Sequence, residues 1–404
     1  MKTHQIYLIP GFFGFSSFGE FRYFAHVREI LEEYLDAAGV DARVHYARTS
    51  PTSSIRRRAA RVAAMIAESS GAPEDPIHLI GHSTGGLDAR LLTAPGVQLK
   101  TSVDIEAIAR RVRSVITVAT PHYGTPVAAF FTSLLGQKVL RLISLGTVYV
   151  LRFGQLPLWV VQKLAGAVVW SNNRVEVRAG VLDQIYTHLL QDFSPDRRAV
   201  LAEFFAEVTA DQSLLPQLSP EGMDLFNAHA TLRPKVRYGS VVCMAPEPGW
   251  RSALRAGVRP YAQATHGLYR LLHARAKAMS ESDLPGLTPD QEAILREVFG
   301  RLPTIGDNDG MVPALSQVFG EVIHATWADH LDVIGHFGDH HHHPPHIDWL
   351  VTGARFDRRH FESLWADVAR FLVGAQLSSA QVPSTSHTAW RMKSVVDRFR
   401  TARR

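Results

Sequence analysis

The chain has 404 residues, of which 46% are hydrophobic and 20% are charged, and its formal net charge is +5. This composition is that of an ordinary globular protein with a large core. The charge is too small for this length to favour a nucleic-acid-binding protein, and the single cysteine, Cys243, excludes an intramolecular disulfide bond.

The start of the sequence predicts a cytoplasmic protein. The chain enters a strand pattern at residues 5–9 and lacks the basic segment, long apolar segment and small-residue cleavage site of a secretion signal. A single cysteine also favours a reducing compartment. The isoelectric point of about 9.4 permits attraction to an anionic membrane surface.

Short apolar runs alternate with helical patterns, which predicts an α/β protein with a mostly parallel central sheet. The helical patterns cover about residues 19–38 and 55–68. Ser17 and Glu20 have the spacing of a capping box before the first helix, and Gly39 stands where that helix should end. The strand candidates are Ile6–Ile9, Arg43–Tyr46, Ile77–Ile80, Ser114–Val118, Val236–Val242 and Glu321–Thr326.

The second predicted helix begins with three arginines, Arg56, Arg57 and Arg58. A run of like charges in one helical turn is typical of a solvated surface. We therefore expect all three side chains to face solvent.

The third strand candidate leads into the sequence Gly81-His82-Ser83-Thr84-Gly85, and a helical pattern follows. The order of strand, G-x-S-x-G and helix is typical of a serine nucleophile on a sharp turn. Such a turn requires small residues two positions before and after the serine, which Gly81 and Gly85 provide. We predict that Ser83 is a nucleophile.

A serine hydroxyl needs a base, and the base needs an acid that orients it. In this arrangement the acid and then the histidine follow the serine along the chain. The turn-rich segment 305–313 contains two candidate acids, of which we favour Asp309 over Asp307. His330 lies just past the sixth strand candidate, and we choose it as the base, with His336 as the alternative.

The reaction also needs hydrogen-bond donors for the oxyanion of the intermediate. The backbone N–H of Thr84, directly after the nucleophile, is the first candidate. The second is the N–H of Phe12, in the Pro-Gly-Phe-Phe-Gly loop after the first strand. Phe12, Phe13 and Phe15 would also line an apolar pocket.

Two insertions account for the long distance between Ser83 and the end of the chain. We divide the chain into a core with the nucleophile (1–126), a helical lid or cap (127–235), a core with the acid and the histidine (236–375, with an insertion at 246–304), and a basic tail (376–404). The apolar start of the cap has two interpretations, a set of buried helices and a mobile amphipathic cap that contacts lipid.

Four charged residues interrupt that apolar stretch, and the uncharged gaps between them are only ten residues long, too short for a transmembrane helix. They are Arg141, Arg152, Lys163 and Arg174. The tract His340–His343 is interpreted as a loop of biased composition, with transition-metal binding as the alternative. The basic tail suits a flexible segment, with contact to a membrane surface as the alternative.

Taken together, these motifs resemble the bacterial true lipases of the α/β-hydrolase superfamily. The segments that carry the resemblance are ordered landmarks between about residues 5 and 340. They are Ile9–Phe12, Gly81–Gly86, Thr120–Pro126, Leu218–Met223 with Phe226 and Asn227, Asn308–Val312 and His330–Asp332.

The resemblance implies an α/β-hydrolase fold with a helical lid and a carboxylic ester hydrolase activity on lipidic substrates. The residues that it places at the substrate are Gly11, Phe13, His82, His122 and Tyr123. An acyltransferase or a thioesterase would use the same acyl-enzyme, and a non-catalytic lipid-binding protein is the alternative from another class.

No cofactor is required by this chemistry, but many such lipases bind a structural calcium ion. The resemblance places Asp332 at one calcium ligand, two residues after the histidine. Asp283 and Asp290 are the candidates for a second aspartate, and His336 stands where an amide side chain is expected. The expected partner is a lipid or small ester, with peripheral membrane contact through the cap or the tail.

Overall fold

The computed structural model describes residues 2–12, 23–69, 71–153, 156–171, 174–177, 179–339, 348 and 350–374. Six parallel strands form the central sheet in the order β2-β1-β3-β4-β7-β8, and helices pack around it. The predicted fold class is confirmed, and each of the six strand candidates corresponds to one strand of this sheet. The strands are β1 His4–Ile9, β2 Ala42–Tyr46, β3 Ile77–His82, β4 Val112–Val118, β7 Arg237–Met244 and β8 Glu321–Trp327.

Helices connect the strands, and a short antiparallel hairpin of β5 and β6 lies outside the sheet. The helices up to β4 are α1 Val27–Ala37, α2 Ile55–Ser69, α3 Thr84–Thr93 and α4 Ile105–Arg111. Between β4 and β7 lie α5 Val127–Thr132, α6 Leu134–Phe153, α7 Leu158–Ala167, β5 Val168–Ser171, β6 Arg174–Val177, α8 Ala179–Gln191, α9 Pro195–Ala210, α10 Leu214–Gln217 and α11 Pro220–His229. After β7 follow α12 Trp250–Ala256, α13 Pro260–Ala276, α14 Pro289–Phe299 and, after β8, α15 Arg358–Val373.

The sheet separates hydrophobic side chains into clusters on its two faces. Ile6 and Leu8 of β1 belong to one cluster, whereas Tyr7 and Ile9 belong to the other. This alternation follows from the two-residue period of a strand, which points successive side chains to opposite faces. Because both faces of the sheet are covered, apolar side chains occur at successive positions of β1, as in Ile6–Ile9.

The first helix is shorter than the predicted 19–38. Its described part begins at Val27, and residues 13–22, which include Ser17, Glu20 and Phe13, lie outside the described residues. The helix ends before Gly39, whose φ of 70° is readily adopted by glycine. The second helix, α2, covers the predicted segment and extends to Ser69.

The segment between β4 and β7 is largely helical, and the helices do not form one continuous rod. The helix α6 ends at Phe153 and α7 starts at Leu158, after Pro157. No helix in the described part of the chain is long and apolar enough to cross a membrane. The histidine tract 340–343 and the tail 376–404 lie outside the described residues.

Candidate active site

Ser83 lies on a strained turn between β3 and α3. Its φ of 53° and ψ of −128° fall outside the regions that L-residues favour. The two flanking glycines make this turn sterically possible, because a side chain on Gly81 would overlap the backbone of Gly85, and one on Gly85 would overlap the backbone of Ile9. The turn therefore presents Ser83 at the carboxyl edge of the parallel sheet, where catalytic groups of such sheets collect.

His330 lies after β8 at the same edge of the sheet and is paired with Asp309. Its Nδ1 is 2.7 Å from Asp309 Oδ2, and its backbone N–H donates to the Asp309 carbonyl at 3.1 Å. Both side chains are buried. Because Nδ1 is engaged by the carboxylate, Nε2 is the ring nitrogen available as a proton acceptor.

Several further donors hold the Asp309 carboxylate in place. Its Oδ1 accepts hydrogen bonds from the backbone N–H groups of Met311 at 2.8 Å and Val312 at 2.7 Å. Its Oδ2 accepts from the amide of Gln317 at 3.2 Å and from the thiol of Cys243 at 3.4 Å. Burial, followed by the nearby negative charge of Asp309, raises the pKa of the Cys243 thiol well above its usual range, so the thiol stays protonated and donates.

The structure brings Asp309, and not Asp307, to His330. The Asp307 carboxylate instead accepts hydrogen bonds from Arg301 and Thr304. The alternative base His336 has its Nε2 2.8 Å from the carbonyl of Tyr23. His324, inside β8, is paired with Asp367 at 2.7 Å.

A narrow apolar cavity of about 40 Å³ lies between Ser83 and the helical segment that follows β4. Phe12, Thr84 and His330 contribute to the same lining as Ser83, so both candidate oxyanion residues face the cavity. The remaining lining residues are Tyr23, Pro121, Thr125, Val127, Ala128, Phe131, Leu215, Leu218, Met311 and Val312.

Of the other residues expected at the substrate, Gly11, His82, His122 and Tyr123 are not part of this lining, and Phe13 lies outside the described residues. Gly11 packs against the nucleophile, because a Cβ on it would lie 2.7 Å from Ser83 Cβ. His122 is buried between Arg90 and Thr117, and the backbone N–H of Tyr123 donates to Ser316 at 3.1 Å. In the loop that contains His122, the residues that line the cavity are Pro121 and Thr125.

His82 is also buried and connects three parts of the site. The Gly11 N–H donates to the Tyr23 hydroxyl at 3.0 Å, and that hydroxyl lies 2.6 Å from His82 Nδ1. On the other side of the ring, Nε2 lies 2.8 Å from the carbonyl of His330. Burial, and then the nearby His330, lower the pKa of His82 well below its usual range. We assign a neutral ring that accepts from Tyr23 at Nδ1 and donates to His330 at Nε2.

Arg58 of α2 contacts the same loop, and this contact was not predicted from the sequence. Contrary to the expectation of a solvated face, Arg58 is fully buried, whereas Arg56 and Arg57 are exposed. Its guanidinium donates to both oxygens of Asp88 and to the carbonyl of Pro10 at 2.7 Å. It therefore ties the loop after β1 to the helix after the nucleophile.

A second group of carboxylates lies near His330; Asp329 and Asp332 are buried, and Asp348 is half-buried. In the described part of the chain, one oxygen from each of Asp329, Asp332 and Asp348 lies within 4.8 Å of the others. Asp329 Oδ2 is buried without a hydrogen-bond partner. Burial raises the pKa of Asp348 to about 7, and burial with mutual repulsion raises those of Asp329 and Asp332.

The donor set fits a hard divalent cation such as calcium, which prefers oxygen ligands at about 2.3–2.6 Å. Two oxygens bound to one such ion lie at most about 5 Å apart, and these three oxygens lie within 4.8 Å of one another. The structure thus brings Asp329 and Asp348 to the predicted Asp332, in place of Asp283 or Asp290.

The chain matches no protein-family model, and no curated protein matches it significantly. It is similar to the structure of Staphylococcus hyicus lipase, with 16% identity, a TM-score of 0.50 and coverage of 92% of this chain and 95% of that one. Two further matches are EstA from Clostridium botulinum (19% identity, TM-score 0.49, coverage 91% and 87%) and lipase 1 from Pelosinus fermentans (16%, 0.49, 94% and 100%). The similarity to Staphylococcus hyicus lipase shows that this chain has the same fold as that protein.

Proposed function

We propose that this protein is a serine-dependent carboxylic ester hydrolase that acts on lipidic esters. The observation that carries the proposal is the strained Ser83, which lines one apolar cavity together with a histidine that is paired to a buried aspartate. The fold shared with Staphylococcus hyicus lipase is in keeping with this activity.

In the proposed reaction, Ser83 Oγ attacks the ester carbonyl carbon while its proton passes to His330 Nε2. The buried Asp309 carboxylate stabilises the resulting imidazolium and keeps Nδ1 protonated. The tetrahedral intermediate collapses when the C–O bond breaks and the imidazolium protonates the leaving alcohol. A water molecule, deprotonated by His330, then attacks the acyl-enzyme and releases the acid and Ser83.

The negative charge on the carbonyl oxygen needs donors that are already in position, because such preorganised donors account for much of the rate enhancement. We assign the backbone N–H groups of Phe12 and Thr84 to this role. The close packing of Gly11 on Ser83 brings the loop after β1 near the nucleophile. The hydrogen bonds of Tyr23 and Arg58 to this loop would fix its position.

The proposed substrate class follows from the lining, which is apolar on the side opposite the catalytic groups. A cavity of about 40 Å³ is far below the roughly 300–1,000 Å³ of typical ligand pockets. An acyl chain therefore requires movement of the wall that α5 and residues 215 and 218 form. We propose that the segment between β4 and β7 acts as the cap that opens.

We also propose that Asp329, Asp332 and Asp348 hold a structural cation. Two of these aspartates flank His330 in sequence, so a bound ion would neutralise the buried carboxylates and fix the loop that carries the base. Its contribution would be structural, since the reacting groups are side chains of the protein.

The test compares wild type, Ser83→Ala and Ser282→Ala, a change of an exposed serine outside the cavity. We expect wild type and Ser282→Ala to hydrolyse a chain-length series of p-nitrophenyl esters and to react with a fluorophosphonate probe. Ser83→Ala should do neither while keeping the same circular dichroism and melting temperature. Probe labelling of Ser83→Ala, or full residual turnover in a clean preparation, would refute the assignment.

A further inference from the structure

An exposed apolar surface lies on the second insertion, at α12. Trp250 is 70% exposed, Leu254 is 63% exposed, and Val258, just after the helix, is 87% exposed. Trp250 and Leu254 are four residues apart and so lie on the same side of the helix. Large apolar side chains in such a group are unfavourable in water, which indicates a contact with another apolar phase or molecule.

The opposite side of α12 is held against α13 by hydrogen bonds. Ser252 is buried, and its hydroxyl lies 3.3 Å from His266 Nε2 of α13 and accepts from the backbone N–H of Gly249 at 2.8 Å. The amide of Gln263 donates to the carbonyl of Ala253 at 2.9 Å. The helix therefore presents its apolar side outward in a defined orientation.

Three arginines lie beside this apolar side. Arg251, Arg255 and Arg259 are all exposed, and none of them forms an ion pair within the part of the chain that the structure describes. The Arg251 guanidinium lies over the Trp250 ring, 5.2 Å from its centroid. A tryptophan and aliphatic side chains bordered by arginines are the composition of helices that lie in a membrane interface.

We propose that these six residues, named here the α12 surface, bind an anionic lipid surface. The apolar side chains would enter the region between head groups and acyl chains, and the arginines would contact lipid phosphates. A protein partner is less suited to this surface, because a stable interface uses about 20–30 residues a side and α12 has seven. Lipid binding needs only a few inserted side chains when basic residues add to the affinity.

The position of the α12 surface would bring the cavity close to lipid. The helix α12 packs on α13, which packs on α5, and α5 contributes Val127, Ala128 and Phe131 to the cavity lining. The inference goes beyond the proposed hydrolysis, and vesicle binding can be measured without turnover. Its failure is therefore distinguishable from failure of the proposed function.

The experiment is cosedimentation of the full chain with vesicles of phosphatidylcholine that contain 30% phosphatidylglycerol. We expect binding by wild type and at least a tenfold weaker partition coefficient for Trp250→Ser/Leu254→Ser. The matched control is Leu225→Ser on α11, which changes a leucine that is 69% exposed and lies next to Asp224. This control should bind like wild type, because Leu225 lies outside the α12 surface and its neighbour in the chain is an aspartate.

Three further measurements separate lipid insertion from other causes. Replacement of Arg251, Arg255 and Arg259 by glutamine should weaken binding by about fivefold per arginine, and binding of wild type to pure phosphatidylcholine should be much weaker. Brominated lipids should quench wild-type tryptophan fluorescence more than that of Trp250→Phe.

Three results would overturn the proposal. The first is absence of wild-type binding to the anionic vesicles. The second is equal binding by the double variant and wild type, which would place the contact elsewhere. The third is a concentration-dependent dimer in light scattering that Trp250→Ser/Leu254→Ser abolishes together with vesicle binding, which would assign the surface to a second copy of the chain.

Discussion

Arg58→Met tests whether a buried ion pair supports the loop that we assign to the oxyanion. The side chains of Arg58 and Asp88 are both 0% exposed, and their closest contact is 2.7 Å. The substitution leaves Asp88 buried without its cation and also removes the donor to the carbonyl of Pro10. Breaking a buried pair in this way typically costs about 3–5 kcal/mol.

Protonation of Asp88 limits this cost. Burial raises the pKa of Asp88 to about 6, against the opposing effect of the Arg58 charge. Without Arg58 that pKa rises further, and the carboxyl takes up a proton near neutral pH instead of remaining charged. We therefore expect a loss of about 3 kcal/mol at pH 7 and a larger loss at pH 9. Arg58→Met/Asp88→Leu should lose less than Arg58→Met, because it leaves no buried charge.

The assay is urea denaturation at both pH values, with the midpoint and the slope measured for each variant. Arg56→Met is the matched control, since it changes an exposed arginine in the same helical turn, and it should lie within about 0.5 kcal/mol of wild type. For ester hydrolysis by folded Arg58→Met, kcat should fall by a larger factor than KM rises. The reason is that the loop after β1 is assigned to stabilising the oxyanion of the intermediate. A stability loss equal to that of Arg56→Met, with unchanged kcat, would refute the reasoning.

Three further predictions concern the same edge of the sheet. Asp309→Asn should lower kcat by about 10⁴-fold with the fold intact, whereas Asp307→Asn should leave most activity; the reverse order in ester hydrolysis would move the acid to Asp307. Tyr23→Phe should destabilise the protein by about 1–2 kcal/mol in urea denaturation, because the Gly11 N–H and His82 Nδ1 both lose their partner; an unchanged midpoint would contradict this. With chelator present, the melting temperature should fall as the pH is raised from 5.5 to 8. The folded-state pKa of Asp348 is about 7, which is above its unfolded value, so the folded state holds a proton that unfolding releases. Calcium chloride should restore the melting temperature at pH 8, and Asp348→Asn should flatten the pH dependence; a melting temperature that rises with pH in chelator would contradict the site.

The elements that were predictable from the sequence are those whose signal is local. The strands that became β1 and β3 are short apolar runs because both faces of the sheet are covered, and the turn at Ser83 is specified by two glycines. His330 could be selected from 20 histidines because it follows a strand at the edge where the nucleophile lies.

The contacts that were not predictable join residues that are far apart in the chain. Arg58 looks like its neighbours Arg56 and Arg57, and only its position on the buried side of α2, opposite Asp88, separates it from them. Asp348 is 16 positions after Asp332, and the sequence between them has no pattern that predicts their proximity in the fold. Polar pairs of this kind have no periodicity, so the sequence does not reveal them.

The two walls of the cavity differ in the interactions that hold them, and this difference bears on how a substrate could enter. On the catalytic side, Gly11, Tyr23, His82, His330 and Asp309 form a continuous chain of buried hydrogen bonds through three loops. Each of these bonds would leave a buried polar group unpaired if the loops separated, so movement there is costly. The opposite wall consists of apolar side chains from α5 and α10, whose contacts are non-directional and are replaced when an acyl chain takes their place. An acyl chain should therefore displace the helical wall while the reacting groups keep their geometry.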